Sequence, residues 1–150
     1  MLLYYIKKMS VVMENLYVGT PVIELYPNDF VIIDGRAQLV FDRFPEIYGL
    51  PGFVEFYAPW CPHCVNFASD YLKLAEIAYG SAGIEPIFSV SAFNCTHPDC
   101  STFLKAIDVS SFPTFFGLGA DGFLIEYKGS RKQKSFLGFL CNSNGICDLV

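Results

Sequence analysis

Apolar residues recur along the chain in two patterns, short continuous runs and stripes at helical spacing. Phe53–Ala58 is a β-rich run with no turn residue, which is typical of a strand buried on both faces at the centre of a sheet. From Pro62 to about Tyr79, apolar residues form two neighbouring stripes at helical spacing. We therefore predict a helix that follows the central strand and packs against the sheet.

The remaining elements follow from similar patterns. We expect strands at 22–25, 86–93, 114–118 and 123–127, a short helix at 98–107, and a last helix capped by Ser130. The segment Val31–Ile47 is mixed in pattern and is predicted to be partly helical. The first half alternates strands and helices as a parallel unit does, and the end adds an antiparallel hairpin. The predicted fold class is α/β, with a central mixed sheet of four to five strands flanked by helices.

Size, charge and hydropathy exclude several classes of protein. The 150 residues suit one domain, and we divide them into an N-terminal extension (1–20), a domain (21–141) and a cysteine-containing tail (142–150). A net charge of −5 argues against a nucleic-acid partner, and the basic cluster at 131–134 is too short to change this. No apolar stretch reaches the roughly 18 residues of a membrane span, and no clear signal peptide is visible.

Six cysteines are more than a cytosolic domain of this size usually carries. They form three close pairs in sequence, 61/64, 95/100 and 141/147, although six cysteines allow fifteen pairings. This usage indicates an oxidising compartment or a redox role. The missing signal sequence argues against an oxidising compartment, so the two observations conflict.

The motif Cys61-Pro62-His63-Cys64 lies at the predicted strand-to-helix junction. Unpaired N–H groups and the positive dipole end of the helix stabilise a thiolate at the first cysteine. Cys64 lies one turn later, within reach of a mixed disulfide formed by Cys61, so Cys61 is the predicted attacking thiolate and Cys64 the resolving thiol. Pro62 is tolerated in the first turn, and a cationic His63 stabilises the thiolate further. An exposed helix-end histidine without a role is the alternative for His63.

The segment 53–64, FVEFYAPWCPHC, resembles the active-site segment of protein disulfide isomerases, and its Pro-His dipeptide is the one in the bacterial oxidant DsbA. The resemblance runs from about Val22 to Leu140 and implies a thioredoxin fold. It also implies that the Phe112–Pro113 peptide bond is cis and faces the cysteine motif, where Phe112 and Pro113 hold a substrate strand. Trp60 would shield the site and contact substrate, with core packing as its alternative.

The resemblance also implies two charged groups around the resolving cysteine. Glu55, in the middle of the apolar strand, corresponds to the acid that moves protons to and from Cys64. A strand-edge carboxylate that reaches water is the alternative for Glu55. Arg131 corresponds to an arginine that swings in to tune the resolving thiol. The chain departs from the family pattern at three positions. Val65 replaces the lysine that follows the second cysteine, the helix-kinking proline is replaced near Ser69, and Ser89 corresponds to the lysine that partners the acid.

Two interpretations stay open for each additional cysteine pair. Cys95 and Cys100 resemble an extra pair in the thioredoxin domain of quiescin sulfhydryl oxidases, and form either a structural disulfide or a secondary redox pair. Cys141 and Cys147 form either a local disulfide that closes a loop or a shuttle dithiol.

We therefore expect a thiol–disulfide oxidoreductase that forms or isomerises disulfides in protein substrates through Cys61 and Cys64. A thioredoxin-like reductase and a redox-inactive module that binds unfolded proteins are the alternatives. A structural zinc site is a third class, with ligands drawn from Cys61, Cys64, Cys95, His97 and Cys100. Zinc spacing does not explain the strand, the acid and the proline together, so His97 is assigned to a surface loop.

The expected partners are cysteine-containing substrate proteins and a redox-recycling protein, with no cofactor and no metal, and the chain is expected to be a monomer. The compartment stays open. The composition, rich in Tyr and Phe, and the lack of targeting favour the cytoplasm or virion of a large DNA virus. The lumen of the endoplasmic reticulum is the alternative.

Overall fold

The computed structural model describes residues 14–80 and 85–144. Within these residues the elements, in chain order, are β1 (Ile23–Leu25), β2 (Phe30–Ile33), β3 (Arg36–Leu39), β4 (Gly52–Tyr57), α1 (Pro62–Tyr79), β5 (Ser89–Asn94), α2 (Cys100–Ala106), β6 (Thr114–Leu118), β7 (Leu124–Tyr127) and α3 (Gln133–Asn144).

Five strands form one mixed sheet in the order β1-β5-β4-β6-β7. Strand β4 is central, parallel to β5 and antiparallel to β6, and β1 is parallel to β5 at one edge. All six residues of β4 are buried, as expected for a strand covered on both faces. The predicted mixed sheet, its central strand and the helix at 62–79 are therefore confirmed.

The segment 31–47, predicted to be partly helical, begins with a two-stranded hairpin and is helical only in two short 3-10 helices. Strands β2 and β3 pair antiparallel, with Ile33 opposite Arg36. The turn between them places Asp34 and Gly35 at φ values of 50° and 77°. An Asp-Gly pair with both residues at positive φ is a two-residue hairpin turn. Two short 3-10 turns, at Phe41–Arg43 and Pro45–Ile47, complete the segment without an α-helix.

Two hydrophobic clusters fill the two faces of the sheet. Alternate residues of β4 divide between them, with Phe53 and Tyr57 on one face and Val54 and Phe56 on the other. The first cluster packs under α1 and α3, and the second packs under α2. The cysteine motif lies with the first cluster, so the candidate site is on the face under α1.

Residues near both predicted boundaries of the domain belong to its core or to its last helix. Tyr17, which the sequence assigns to the N-terminal extension, is buried in the cluster under α1. Helix α3 begins at Gln133, so Ser130 does not cap it, and it runs past the predicted boundary at residue 141. Within residues 14–80 and 85–144, the structure contains no helix with the length and apolar character of a membrane span.

Candidate active site

Cys61 lies where the central strand turns into helix α1. It is the N-cap residue, with extended backbone angles, and its carbonyl oxygen accepts a hydrogen bond from the Val65 N–H at 3.0 Å. The N–H of Cys61 itself donates to the Ala58 carbonyl oxygen at 3.0 Å, which fixes the turn. Pro62 occupies the first helical position, as predicted. The Cys61 side chain therefore lies at the N-terminus of α1, where the first backbone N–H groups have no partner within the helix.

The pKa values of the two cysteines are shifted in opposite directions. The backbone N–H of Cys64, followed by its thiol and the N–H of His63, lowers the pKa of the Cys61 thiol below its ordinary value of 9.0. Burial raises the pKa of Cys64 to about 12. The side chain of Cys61 is 7% exposed and that of Cys64 is 0% exposed. This asymmetry matches the predicted division into an attacking thiolate and a buried resolving thiol.

The loop before β6 faces the motif. The Phe112–Pro113 peptide bond is cis, so that prediction is confirmed. The sulfur of Cys61 lies 3.6 Å from the carbonyl oxygen of Phe112, which it contacts as a hydrogen-bond donor. The Trp60 ring meets the Phe112 ring edge to face, with centroids 6.3 Å apart, and is 60% exposed. The structure thus brings together Trp60, Cys61, Phe112 and Pro113, while His63 is exposed beside them.

Glu55 is fully buried beneath the motif, so the alternative of a water-exposed strand edge is wrong. The hydroxyl of Tyr17 donates a hydrogen bond to its Oε1 atom. Burial raises the pKa of Glu55 to about 8, with a contribution from the charge of Glu24, while the Tyr17 hydrogen bond and the charge of Arg131 oppose the rise. The charge of Glu55 in turn contributes to the raised pKa of Cys64. Glu55 and Cys64 are therefore electrostatically coupled across the core.

Arg131 points back towards the loop that carries the cis peptide bond. Its Nη2 atom donates to the Pro113 carbonyl oxygen at 2.8 Å. Its guanidinium group lies over the Phe115 ring, 5.2 Å from the centroid. Phe115 pairs with Glu55 across β4 and β6. Arg131 therefore contacts the loop and the ring beside the motif, and its positive charge lowers the pKa of Glu55.

Comparison with known proteins identifies the family. The sequence model of the thioredoxin family matches residues 49–142. The chain belongs to the thioredoxin family. The first thioredoxin domain of mouse protein disulfide-isomerase A4 superposes on this thioredoxin-family domain with a TM-score of 0.52 and 29% identity, covering 78% of this chain and 79% of that one. Thioredoxin f from spinach chloroplast shares the fold at a TM-score of 0.54 and 22% identity, covering 87% and 98% of the two chains.

Curated relatives place the domain near the protein disulfide isomerases. It is 30% identical over 114 residues to a protein disulfide-isomerase of Datisca glomerata, a match that covers 76% of this chain and 20% of that protein. It is 36% identical over 84 residues to human protein disulfide-isomerase A4, covering 56% of this chain and 12% of that protein. The thioredoxin-family domain therefore spans a fifth or less of the length of these relatives.

The residue beside Glu55 on the neighbouring strand is Ala92 and not Ser89, where the family's lysine was expected. Glu55 pairs across β4 and β5 with Ala92, whereas Ser89 pairs with Gly52. Ala92 also pairs with Glu24 on β1, so the position beside Glu55 is occupied by a methyl group between two carboxyl groups. Tyr17 and Glu24 are two further residues of this region that were not predicted from the sequence. Glu24 stands in the apolar run 22–25 as Glu55 stands in 53–58, and this repeated pattern is the signal that was available.

The second cysteine pair of the thioredoxin domain follows β5 in the way the first pair follows β4. The N–H of Cys95 donates to the Tyr57 carbonyl oxygen at 2.8 Å, which joins the two strand ends. Cys95 and Cys100 are free thiols in this structure, and burial raises the pKa of Cys100 to about 11. Their disulfide stays a prediction. Cys141 is disulfide-bonded, and Cys147, its predicted partner, lies outside the described residues.

The residues of the alternative zinc site do not form a metal-binding group. His97 is partly buried and its ring packs edge to face on Tyr26, with centroids 5.0 Å apart. Within the described parts of the chain, no three or more His, Cys, Asp or Glu side chains are arranged to hold a metal ion.

Proposed function

We propose that this chain is a thiol–disulfide oxidoreductase that forms or isomerises disulfides in protein substrates. The observation that carries the proposal is the asymmetry of the cysteine pair, with an acidic Cys61 at the helix end and a buried Cys64 of raised pKa. A thiolate that is stabilised in this way is also a good leaving group, which makes the pair more oxidising. The similarity to protein disulfide isomerases supports the same activity.

The surroundings of Cys61 support a protein substrate. Trp60 presents an exposed ring, and the Phe112 carbonyl oxygen lies beside the reacting sulfur. An extended substrate segment could pack on the apolar ring of Trp60 and donate a backbone hydrogen bond to the Phe112 carbonyl oxygen. Phe112 and Pro113 are the proposed substrate-binding residues, and Arg131, through its bond to the Pro113 carbonyl oxygen, holds this loop.

A redox titration of the purified chain in glutathione buffers, followed by its thiol content, tests the proposal. We expect a poise of roughly −120 to −200 mV that disappears in Cys61→Ser. Cys95→Ser removes a cysteine outside the motif and is the matched control, in which this poise is expected to remain. Reactivation of a protein with scrambled disulfides measures the isomerase activity directly.

The same titration separates the alternative functions. A poise near roughly −270 mV would identify a thioredoxin-like reductase and contradict the proposed direction of electron flow. A thiol titration that Cys61→Ser leaves unchanged would contradict the catalytic assignment and favour a redox-inactive binding module.

A further inference from the structure

A second carboxyl group stands beside the buried acid on the same face of the sheet. Glu24 on β1 and Glu55 on β4 both pair with Ala92 on β5, one from each side. Paired residues of adjacent strands direct their side chains to the same face, and two strand spacings separate the two backbones by roughly 10 Å. Ala92, which lies between them in the sheet, contributes only a methyl group to this face.

Two tyrosines hold the two carboxyl groups in matching ways. The Tyr17 hydroxyl donates to Glu55 Oε1, and the Tyr57 hydroxyl donates to Glu24 Oε1. The rings of Tyr17 and Tyr57 meet edge to face, with centroids 5.5 Å apart. The second oxygen, Oε2, of each carboxyl group is buried and has no hydrogen-bond partner among the described residues. Burying a charged carboxylate whose oxygen has no hydrogen-bond partner costs free energy. The protonated form of each carboxyl group is therefore favoured.

The two acidic residues differ in their place in the sheet. Glu55 is fully buried on the central strand, whereas Glu24 as a whole residue is only partly buried and lies on the edge strand, although its Oε2 atom is itself buried. Burial raises the pKa of Glu24, as of Glu55, to about 8. Glu24 therefore lies between Glu55 and the edge of the sheet.

We propose that Glu24 is a positioning residue for proton transfer, which acts through Glu55 so that the two carboxyl groups together hold the proton that Cys64 gains or loses. The proposal rests on the proposed function of Cys61 and Cys64. Glu24 makes no contact with the reacting sulfurs in this role, and its charge sets how readily Glu55 takes up or releases a proton.

The proton balance of the oxidation reaction defines the role. A substrate thiolate attacks Cys61 of the Cys61–Cys64 disulfide, and the S–S bond breaks to release the Cys64 thiolate. Glu55 gives its proton to that thiolate and becomes a carboxylate. A second substrate thiolate then attacks the mixed disulfide and releases the Cys61 thiolate, so the substrate loses two electrons and the cysteine pair gains them. In the reverse direction, Cys64 returns its proton to Glu55.

Several other titratable or charged groups surround the pair and enter any measurement of its protonation. They come from the N-terminal segment, from α1, from the strand ends and from the segment before α3. They are Tyr17, Tyr57, Cys64, Tyr71, Cys95 and Arg131.

Infrared titration of the carboxylic acid carbonyl band tests the coupling without any need for activity. Two interacting carboxyl groups lose their protons in two steps that belong to the pair. We therefore expect two steps in the wild type and one step in Glu24→Gln, at lower pH than the second wild-type step. Gln keeps an oxygen that accepts the Tyr57 hydrogen bond, and Glu24→Asp, which keeps a carboxyl group, is expected to retain both steps. The control Glu76→Gln removes an exposed carboxyl group of α1 and is expected to leave both steps in place.

The rate of disulfide closure by Cys64, measured by rapid mixing as a function of pH, tests the role in the reaction. We expect Glu24→Gln to move the midpoint of this profile to lower pH by about one unit, the effect of one charge at roughly 10 Å. A rate that falls equally at every pH, or an infrared titration that keeps two steps in Glu24→Gln, would overturn the proposal. A wild type with no thiol–disulfide exchange would instead overturn the proposed function, and the role of Glu24 with it.

Discussion

At the scale of single residues, the hydroxyl group of Tyr17 is the strongest hydrogen-bonding influence on Glu55. Burial raises the pKa of Glu55, and the Tyr17 hydroxyl opposes that rise by donating to the carboxyl group. The family pattern has a lysine near this acid, whereas this chain has Ala92 beside it. The direct hydrogen bond to the acid therefore comes from a neutral donor, which lies in a segment that precedes the first strand.

Tyr17→Phe removes this donor and leaves the ring in place. We expect the pKa of Glu55 to rise further, because the lost hydrogen bond favours the charged form. Disulfide closure by Cys64 should then slow at pH 7 by about tenfold, the value of roughly one hydrogen bond to a charged group. Rapid mixing at a series of pH values measures this rate. Tyr48→Phe, at an exposed tyrosine, is the control, and an unchanged profile in Tyr17→Phe would show that the hydroxyl does not act on Glu55.

Cys64→Ser should trap substrates on Cys61. The variant keeps the acidic Cys61 thiol at the helix end and removes the thiol that resolves the mixed disulfide. We expect covalent complexes with substrate proteins that are visible by non-reducing electrophoresis and disappear on reduction. Cys61→Ser should form none, and equal trapping by the two variants would contradict the division of roles between the cysteines.

At this scale the cis bond before Pro113 was predictable because its information is local in sequence. The structure places the Phe112 carbonyl oxygen of this short motif 3.6 Å from the sulfur of Cys61. Glu24 and Ala92 depend on strand register, which a single sequence does not fix. Their relation to Glu55 appears only when β1, β5 and β4 are aligned.

At the scale of elements, the hairpin of β2 and β3 depends on its two-residue turn. Apolar residues in this segment fit a helix and a strand equally well over a short window, so the pattern alone did not decide between them. The deciding signal is Asp34-Gly35, where both residues adopt positive φ. Strand β5, which was predicted to begin at residue 86, begins at Ser89.

Gly35→Ala should destabilise the domain by about 1–2 kcal/mol, because alanine is strained at φ 77° even though the site has open space for a methyl group. The matched control is Gly138→Ala in α3, where a methyl group also meets open space but the backbone is helical. That substitution should stabilise the domain by up to about 1 kcal/mol. Urea denaturation of both variants measures the difference, and an equal effect in the two would contradict the account of the turn.

At the scale of the whole molecule, two buried carboxyl groups make stability depend on pH. The pKa values of Glu24 and Glu55 rise from an ordinary 4.5 to about 8 on folding. The folded chain therefore holds protons that the unfolded chain releases between these values. Their contribution to the free energy of unfolding is complete below about pH 4.5 and is lost as the pH rises through about 8.

Glu55→Gln should flatten this decline, because the substituted side chain does not ionise. We expect the variant to gain stability relative to the wild type as the pH rises from about 5 to 8, by a few kcal/mol at most. Chemical denaturation at several pH values measures the difference. Glu76→Gln is exposed and should keep the wild-type slope. Parallel curves for wild type and Glu55→Gln would contradict the assignment.

The overall architecture was predictable because alternation of strands and helices constrains the layers of a domain. Burial of Phe53–Ala58 on both faces and the stripes of α1 were enough to predict the central strand and its covering helix. The N-terminal limit was not predictable in this way. Tyr17 packs into the core from a segment without regular periodicity, and only contacts that are distant in sequence place it there.

The position of Trp60 gives the molecule an optical label of its own. It is the single tryptophan of the chain, it precedes Cys61 directly, and its ring lies against Phe112. All indole fluorescence of the chain therefore originates beside the reacting sulfur. Because the ring is 60% exposed, we expect its surroundings to change when the proposed disulfide opens or closes and when a substrate binds. The emission of this one side chain should then report each half of the proposed reaction in real time, without an added dye.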